Sequence, residues 1–160
     1  MELAWRFRVN ARRTRRLAVL IGLCACGSPG SRPPDRIVTA TDSAVASLRG
    51  YYAAIDRRDY ASAYAGWGDD GPPGHPTLAD FARGFARTDS VRLDVGRPGR
   101  IEGAAGSRYV DVPVTVHAFE GGGGATTYTG SYVLRRTVVP GASDANRRWH
   151  LYRATLAARP

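Results

Sequence analysis

The sequence feature that most restricts the fold is a change in hydrophobic period near Thr88. Before this residue, apolar side chains recur every three or four positions, as on one face of a helix. After it they alternate with polar ones, most clearly at 110–116, where every second residue is valine. Helical segments followed by alternating strands predict an α+β fold, with the helices packed against one face of an antiparallel sheet.

Three helical segments are predicted before the change of period. The first is expected to be capped by one of residues 41–43, which all carry side-chain oxygens. Asp59 and Thr77 are placed to cap a second and a third helix. The apolar stripe of the first helix consists of Val45, Leu48, Tyr52 and Ile55.

Five strands are predicted after the change of hydrophobic period. Their expected ranges are 91–95, 100–102, 109–119, 126–139 and 149–156, with a loop at 140–146. The glycines at 121–124 predict a hairpin loop. Pro113 lacks a backbone donor, which predicts an edge strand or a bulge. Three long antiparallel strands in series are expected to twist strongly around the preceding helices.

The positive charge of the chain is concentrated near its amino end. The 160 residues carry a net charge of +9, and all 23 basic residues are arginine. Residues 26–160 keep 17 basic and 13 acidic residues, a net of +4. The excess therefore belongs mainly to residues 1–25, where arginines followed by a nine-residue apolar run are typical of an export signal. Nucleic-acid binding is not expected.

The end of this segment resembles a bacterial lipobox. Leu23-Cys24-Ala25-Cys26 places a leucine three positions before a cysteine and a small residue directly before it. The resemblance implies cleavage before Cys26 and lipidation of its thiol, giving a protein anchored to the membrane and facing the periplasm or cell exterior. Residues 1–25 are then the signal peptide and 26–39 the lipidated cysteine with a flexible linker. An ordinary secretory signal and a buried helix are the alternatives.

The remaining segment, residues 40–157, resembles the NTF2-like (cystatin-like α+β) superfamily. The resemblance is carried by 51–64, where an aromatic helix ends at a charged turn before Asp59-Tyr60, and by Arg148-Trp149-His150-Leu151 at the last strand. It implies helices packed in the concave face of a strongly curved antiparallel sheet, a cone whose open end can hold a ligand. Another α+β sandwich is the alternative fold.

Six aromatic residues are candidates for lining such a pocket, although core packing explains the same spacing. They are Tyr52, Tyr64, Trp67, Tyr128, Tyr132 and Trp149.

Asp111 and His117 are the polar candidates, because catalytic members of the superfamily place an acidic residue inside the cone. They share a strand face but lie about 20 Å apart, and the valines occupy the other, core-facing side. Both are therefore expected to be solvated.

The scattered histidines do not predict a metal site, and no cofactor motif is recognised. Arg135-Arg136 and Arg147-Arg148 are read as a solvated edge or a basic patch.

These observations predict a membrane-anchored envelope lipoprotein with a non-catalytic binding or scaffolding domain. Its partner would be a small hydrophobic ligand or an envelope protein. One alternative is a small isomerase or dehydratase that uses Asp111 or His117 in the cone. Another is an interaction subunit that forms a homodimer through the outer face of its sheet.

Overall fold

The computed structural model describes residues 39–159 as an α+β fold. The helices are α1 (Ala40–Asp56), α2 (Tyr60–Ala65), α3 (Leu78–Arg83) and α4 (Asp144–Arg147). The strands are β1 (Thr88–Val95), β2 (Glu102–Ala104), β3 (Ser107–Glu120), β4 (Ala125–Thr137) and β5 (His150–Arg159). The proposed signal peptide, Cys26 and most of the linker lie outside the described residues. The sequence analysis missed α4, a single turn within the predicted loop.

The five strands form one antiparallel sheet in the order β1-β3-β4-β5, and β2 pairs with the first residues of β3. The β3–β4 ladder runs without a register shift from Ser107↔Thr137 to Phe119↔Ala125. A bulge interrupts the β4–β5 ladder between Val133 and Leu134. The predicted α+β class and antiparallel sheet are thus confirmed.

Pro113 does not mark an edge strand, since β3 lies between β1 and β4. On the side of Pro113, however, the pairing of β3 with β1 ends at Val95↔Val114, so the residue lies where the ladder stops. In an antiparallel strand the N–H and C=O of a residue point to the same side. The carbonyl of Pro113 accepts from the N–H of Gly96 at 2.8 Å, just after β1 ends at Val95. The missing donor therefore faces the place where the neighbouring strand stops.

The amino ends of the helices carry side-chain caps. Thr39, not one of residues 41–43, caps α1: its hydroxyl accepts from the N–H of Asp42, whose carboxylate accepts from the N–H of Thr39, both at 3.1 Å. Asp59 and Thr77 cap α2 and α3 as predicted. The cap lies earlier than predicted because Asp42 is the third helical residue of a capping box and not the cap itself.

The core lies between the helices and one face of the sheet. The alternating valines of β3 (Val110, Val112, Val114 and Val116) are buried, as the sequence predicted. Leu48 and Ile55 of α1 are fully buried in the same cluster, while Val45 is only partly buried. We call the valine face the inner face and the opposite one the outer face. No helix in the range 39–159 is long and apolar enough to cross a membrane.

Candidate functional site

A cavity of about 330 Å³ opens between α1, α3 and β4, and we call it the aromatic pocket. Its wall is dominated by aromatic rings, with one carboxylate at the rim. The lining residues are Tyr51, Tyr52, Pro76, Asp80, Phe81, Gly84, Phe85 and Tyr132.

Three elements position these rings. Tyr51 and Tyr52 are consecutive in α1 and both buried, with centroids 5.0 Å apart at 78°. Phe81 of α3 and Phe85, in the turn that follows α3, meet edge to face at 5.1 Å. Tyr132 projects from the inner face of β4. Edge-to-face aromatic contacts of this kind add about 0.5–1.5 kcal/mol each beyond the area that they bury, so the wall is a packed surface.

The polar centre of the pocket wall is a pair of tyrosine hydroxyls. The Oη atoms of Tyr52 and Tyr132 lie 2.8 Å apart and join α1 to β4. Burial raises the pKa of both phenols well above their ordinary value, so both remain neutral at physiological pH. One hydroxyl hydrogen is used within the pair. The hydrogen of the other hydroxyl is not used within the pair.

Asp80 supplies the only carboxylate among the lining residues. One of its oxygens accepts a hydrogen bond from the Thr77 hydroxyl at 2.6 Å, and the other pairs with Arg83. These partners hold the carboxylate at the exposed beginning of α3. Asp80 is therefore a fixed polar group at the rim and not a buried base.

Only two of the six aromatic residues that were candidates, Tyr52 and Tyr132, line the aromatic pocket. The ring of Tyr64 packs edge to face on Phe81, and its hydroxyl donates a hydrogen bond to the carbonyl of Pro76 at 2.9 Å. Trp67 and Tyr128 are buried core residues, and Trp149 lines a separate cavity with His150.

Sequence reasoning missed Tyr51, Phe81 and Phe85 as pocket residues. The third helix was predicted, but nothing in the sequence indicated that it borders a cavity.

Asp111 and His117 lie on the outer face, and neither lines the aromatic pocket. Asp111 is exposed and accepts a hydrogen bond from the hydroxyl of Ser131 at 2.9 Å. The imidazole of His117 lies between Asp94, at 3.3 Å from Nε2, and the hydroxyl of Thr127, at 3.1 Å from Nδ1. These groups join three neighbouring strands across the surface of the sheet.

The two arginine pairs, 135–136 and 147–148, do not form one basic patch, because their members make different contacts. Arg135 pairs with Asp70 at 3.0 Å, and the guanidinium of Arg136 lies 5.3 Å from the ring centre of Trp149. Arg147 and Arg148 are exposed at α4. Within residues 39–159, no three histidine, cysteine or acidic side chains are grouped as a metal site would require.

His150 is a buried titratable group, with 3% of its surface exposed. Its Nδ1 lies 3.0 Å from the carbonyl of Arg148, to which it donates, and its Nε2 has no partner in the described part of the chain. Burial lowers the pKa of His150, with the charge of Arg135 acting in the same direction and those of Asp69 and Asp70 opposing it. The folded state therefore favours the neutral imidazole more strongly than the unfolded chain does.

No protein-family model matches the chain, and a search of the curated proteins finds no match either. The interpretation of the site therefore depends on its geometry. That geometry is a mainly aromatic pocket with a neutral hydroxyl pair in its wall and one carboxylate at its rim. Such a pocket can hold a small apolar molecule and orient it by one hydrogen bond.

We predict that replacing Tyr132 with Phe destabilises the protein by about 1–3 kcal/mol, because the buried hydroxyl of Tyr52 loses its partner. The double variant Tyr52→Phe/Tyr132→Phe should recover most of this loss, because no unpaired hydroxyl remains. Unfolding free energies from urea titrations of wild type, both single variants and the double variant check this. Strictly additive losses would show that the two hydroxyls are not coupled.

We predict that the free energy of unfolding falls as the pH drops below about 6.5, the ordinary pKa of histidine. Because the folded pKa of His150 is lowered, the unfolded chain binds this proton more readily, so acid favours unfolding over that interval. His150→Gln should make the free energy of unfolding depend less on pH. His75→Gln, at an exposed position, should leave this pH dependence unchanged. An unchanged slope in His150→Gln, measured by urea titrations from pH 5 to 8, contradicts the prediction.

Proposed function

We propose that this chain is a lipid-anchored envelope protein whose NTF2-like domain binds a small hydrophobic molecule in the aromatic pocket. The observation that carries the proposal is the pocket wall, where the Tyr52–Tyr132 hydroxyl pair is set among aromatic rings. A ligand of this site has an apolar, preferably planar body and one hydrogen-bond acceptor, such as a carbonyl oxygen. The neutral hydroxyls favour an uncharged acceptor region, because a charged group would be desolvated among the rings.

The order of elements supports an NTF2-like fold. Three helices precede the sheet: α1 packs on its inner face, α2 packs on α1 and α3 packs on α2. The long strands β3, β4 and β5 follow one another as antiparallel neighbours. The pocket is bordered by α1, α3 and β4 and lies on the helix-facing side of the sheet.

The polar residues favour binding over catalysis. An isomerase or dehydratase needs a titratable group close to the reacting atoms. Asp111 and His117 lie on the outer face, and Asp80 is held at the rim by Thr77 and Arg83. The tyrosines have raised pKa values, so near neutral pH both stay protonated and the phenolate that would act as a base is absent. Dimerisation through the outer face stays a prediction from the sequence.

We expect Phe85→Trp to weaken ligand binding, because the larger ring narrows a cavity of about 330 Å³. The protein would be extracted from its native membrane in mild detergent and examined by native mass spectrometry for retained small molecules. Phe119→Trp is the matched control, since Phe119 is exposed and lies outside the pocket. Equal retention in the two variants, or no retained mass in wild type, contradicts ligand binding in this pocket.

For the anchor, we expect Cys26→Ser to abolish incorporation of a clickable fatty acid, because the thiol that accepts the lipid is absent. Cys24→Ser serves as the control and should still be labelled, because Cys26 and the small residue before it are retained. Undiminished labelling of Cys26→Ser contradicts the anchor. This outcome leaves the aromatic pocket unaffected, so the two parts of the proposal are tested separately.

A further inference from the structure

One end of the sheet combines exposed valines with arginines, and we call it the arginine–valine end. Val138 and Val139 follow β4 and are 47% and 45% exposed. Their loop meets the β2–β3 turn, where the N–H of Val138 donates to the carbonyl of Gly106 at 2.9 Å. The four arginines of this end are Arg108, Arg136, Arg147 and Arg148.

These arginines carry charge that is not neutralised by ion pairs. Arg108 and Arg136 are directly opposite each other on β3 and β4, and Arg147 and Arg148 are exposed after β4. None of the four pairs with a carboxylate in the structure of residues 39–159. Nearby Asp70 is already paired with Arg135. Glu102 and Asp144 also belong to this region and offset part of the positive charge.

The described chain also begins on this side of the domain. The carboxyl end of α1 lies at the opposite end of the sheet, where Arg58 reaches Asp89 at 3.9 Å. Ser47, in the middle of α1, shares a cavity with Ala145 and Arg148 near α4. Thr39 is eight residues before Ser47, about 12 Å further along the helix axis and away from Asp89.

The sequence supplies a short connection from this point to the proposed lipid. Twelve residues lie between Cys26 and Thr39, and the thirteen residue steps between their Cα atoms span at most about 45 Å. The lipid anchor therefore keeps the amino end of α1, and with it the arginine–valine end, within reach of the bilayer surface.

The opposite end has a different character. Phe119 is exposed there, but Asp89 and Glu120 lie beside it at the pairs that join β1 to β3. Charges of both signs offset one another here, because Arg58 reaches Asp89 at 3.9 Å and Arg159 lies opposite Thr127. An anionic surface attracts more strongly an end whose arginines have no ion pairs, and the arginine side chain also packs well at a membrane interface. The two ends thus differ in charge as well as in their distance from the anchor.

From these observations we infer that the arginine–valine end docks on the anionic phospholipid headgroups of the membrane that holds the protein. Arg108, Arg147 and Arg148 contact phosphate groups, and Val138 and Val139 enter the headgroup layer. The inference rests on the proposed lipid anchor. It assigns the domain one orientation on the membrane, with the Phe119 end directed away from the bilayer.

The test uses the full lipidated chain, which has no cysteine after Cys26. Val139→Cys and, as the matched control, Phe119→Cys provide one free thiol each for an environment-sensitive NBD dye. The proteins are reconstituted into vesicles of phosphatidylcholine with or without phosphatidylglycerol, all containing a spin-labelled lipid as quencher. Flotation of the vesicles reports the anchor, and quenching reports which end touches the lipid.

We expect the dye at position 139 to be quenched in vesicles that contain phosphatidylglycerol, and quenching to decrease at high salt. The dye at position 119 should remain unquenched. Arg108→Gln/Arg147→Gln/Arg148→Gln should reduce the docked-to-undocked ratio by roughly tenfold or more. The charge-matched control Arg92→Gln/Arg97→Gln/Arg159→Gln should leave it unchanged.

Flotation with equal quenching at both positions, or with none at position 139, overturns the docking while the anchor stands. If the dye at position 139 reports a shielded environment in detergent without vesicles, a protein partner or a second copy covers this surface. That result also overturns the inference. Failure to float in any vesicle overturns the anchor, and the docking falls with it.

Discussion

The unbroken β3–β4 ladder is the constraint on which the rest of the structure depends. It fixes thirteen consecutive residue pairs, and a slip by one residue would turn the buried valines of β3 toward the outer face. Gly130 lies within this ladder, opposite Val114, and also pairs with Leu156 of β5. A side chain at Gly130 would collide with the backbone carbonyl of Thr155, so the close approach of β4 and β5 requires glycine.

The same register determines where the pocket forms. Val112 is opposite Tyr132, so the tyrosine projects from the inner face toward α1. Its hydroxyl then meets that of Tyr52, eighty residues earlier in the chain. Because a single hydrogen bond joins the helix layer to the sheet at the pocket wall, stability and the shape of the binding site are linked at this position.

The sequence was informative wherever the determinant is local. The alternation at 110–116 predicted β3 and its buried face, and Asp59 and Thr77 predicted helix starts from their own capping chemistry. The pocket could not be predicted in this way, because Tyr51 and Tyr132 meet only after α1 has packed on β4. Pro113 shows the same limit: its role depends on where another strand ends, which no residue near it encodes.

The distribution of polar groups separates recognition in the pocket from contacts at the surface. The aromatic pocket offers neutral hydroxyls, while Asp111 and His117 are engaged by Ser131 and Thr127 on the outer face. The arginine–valine end uses the hairpin turns and α4, none of which lines the aromatic pocket. The proposed docking on the membrane would therefore leave the pocket wall intact, so a domain held by one end could bind the proposed ligand without leaving the bilayer surface.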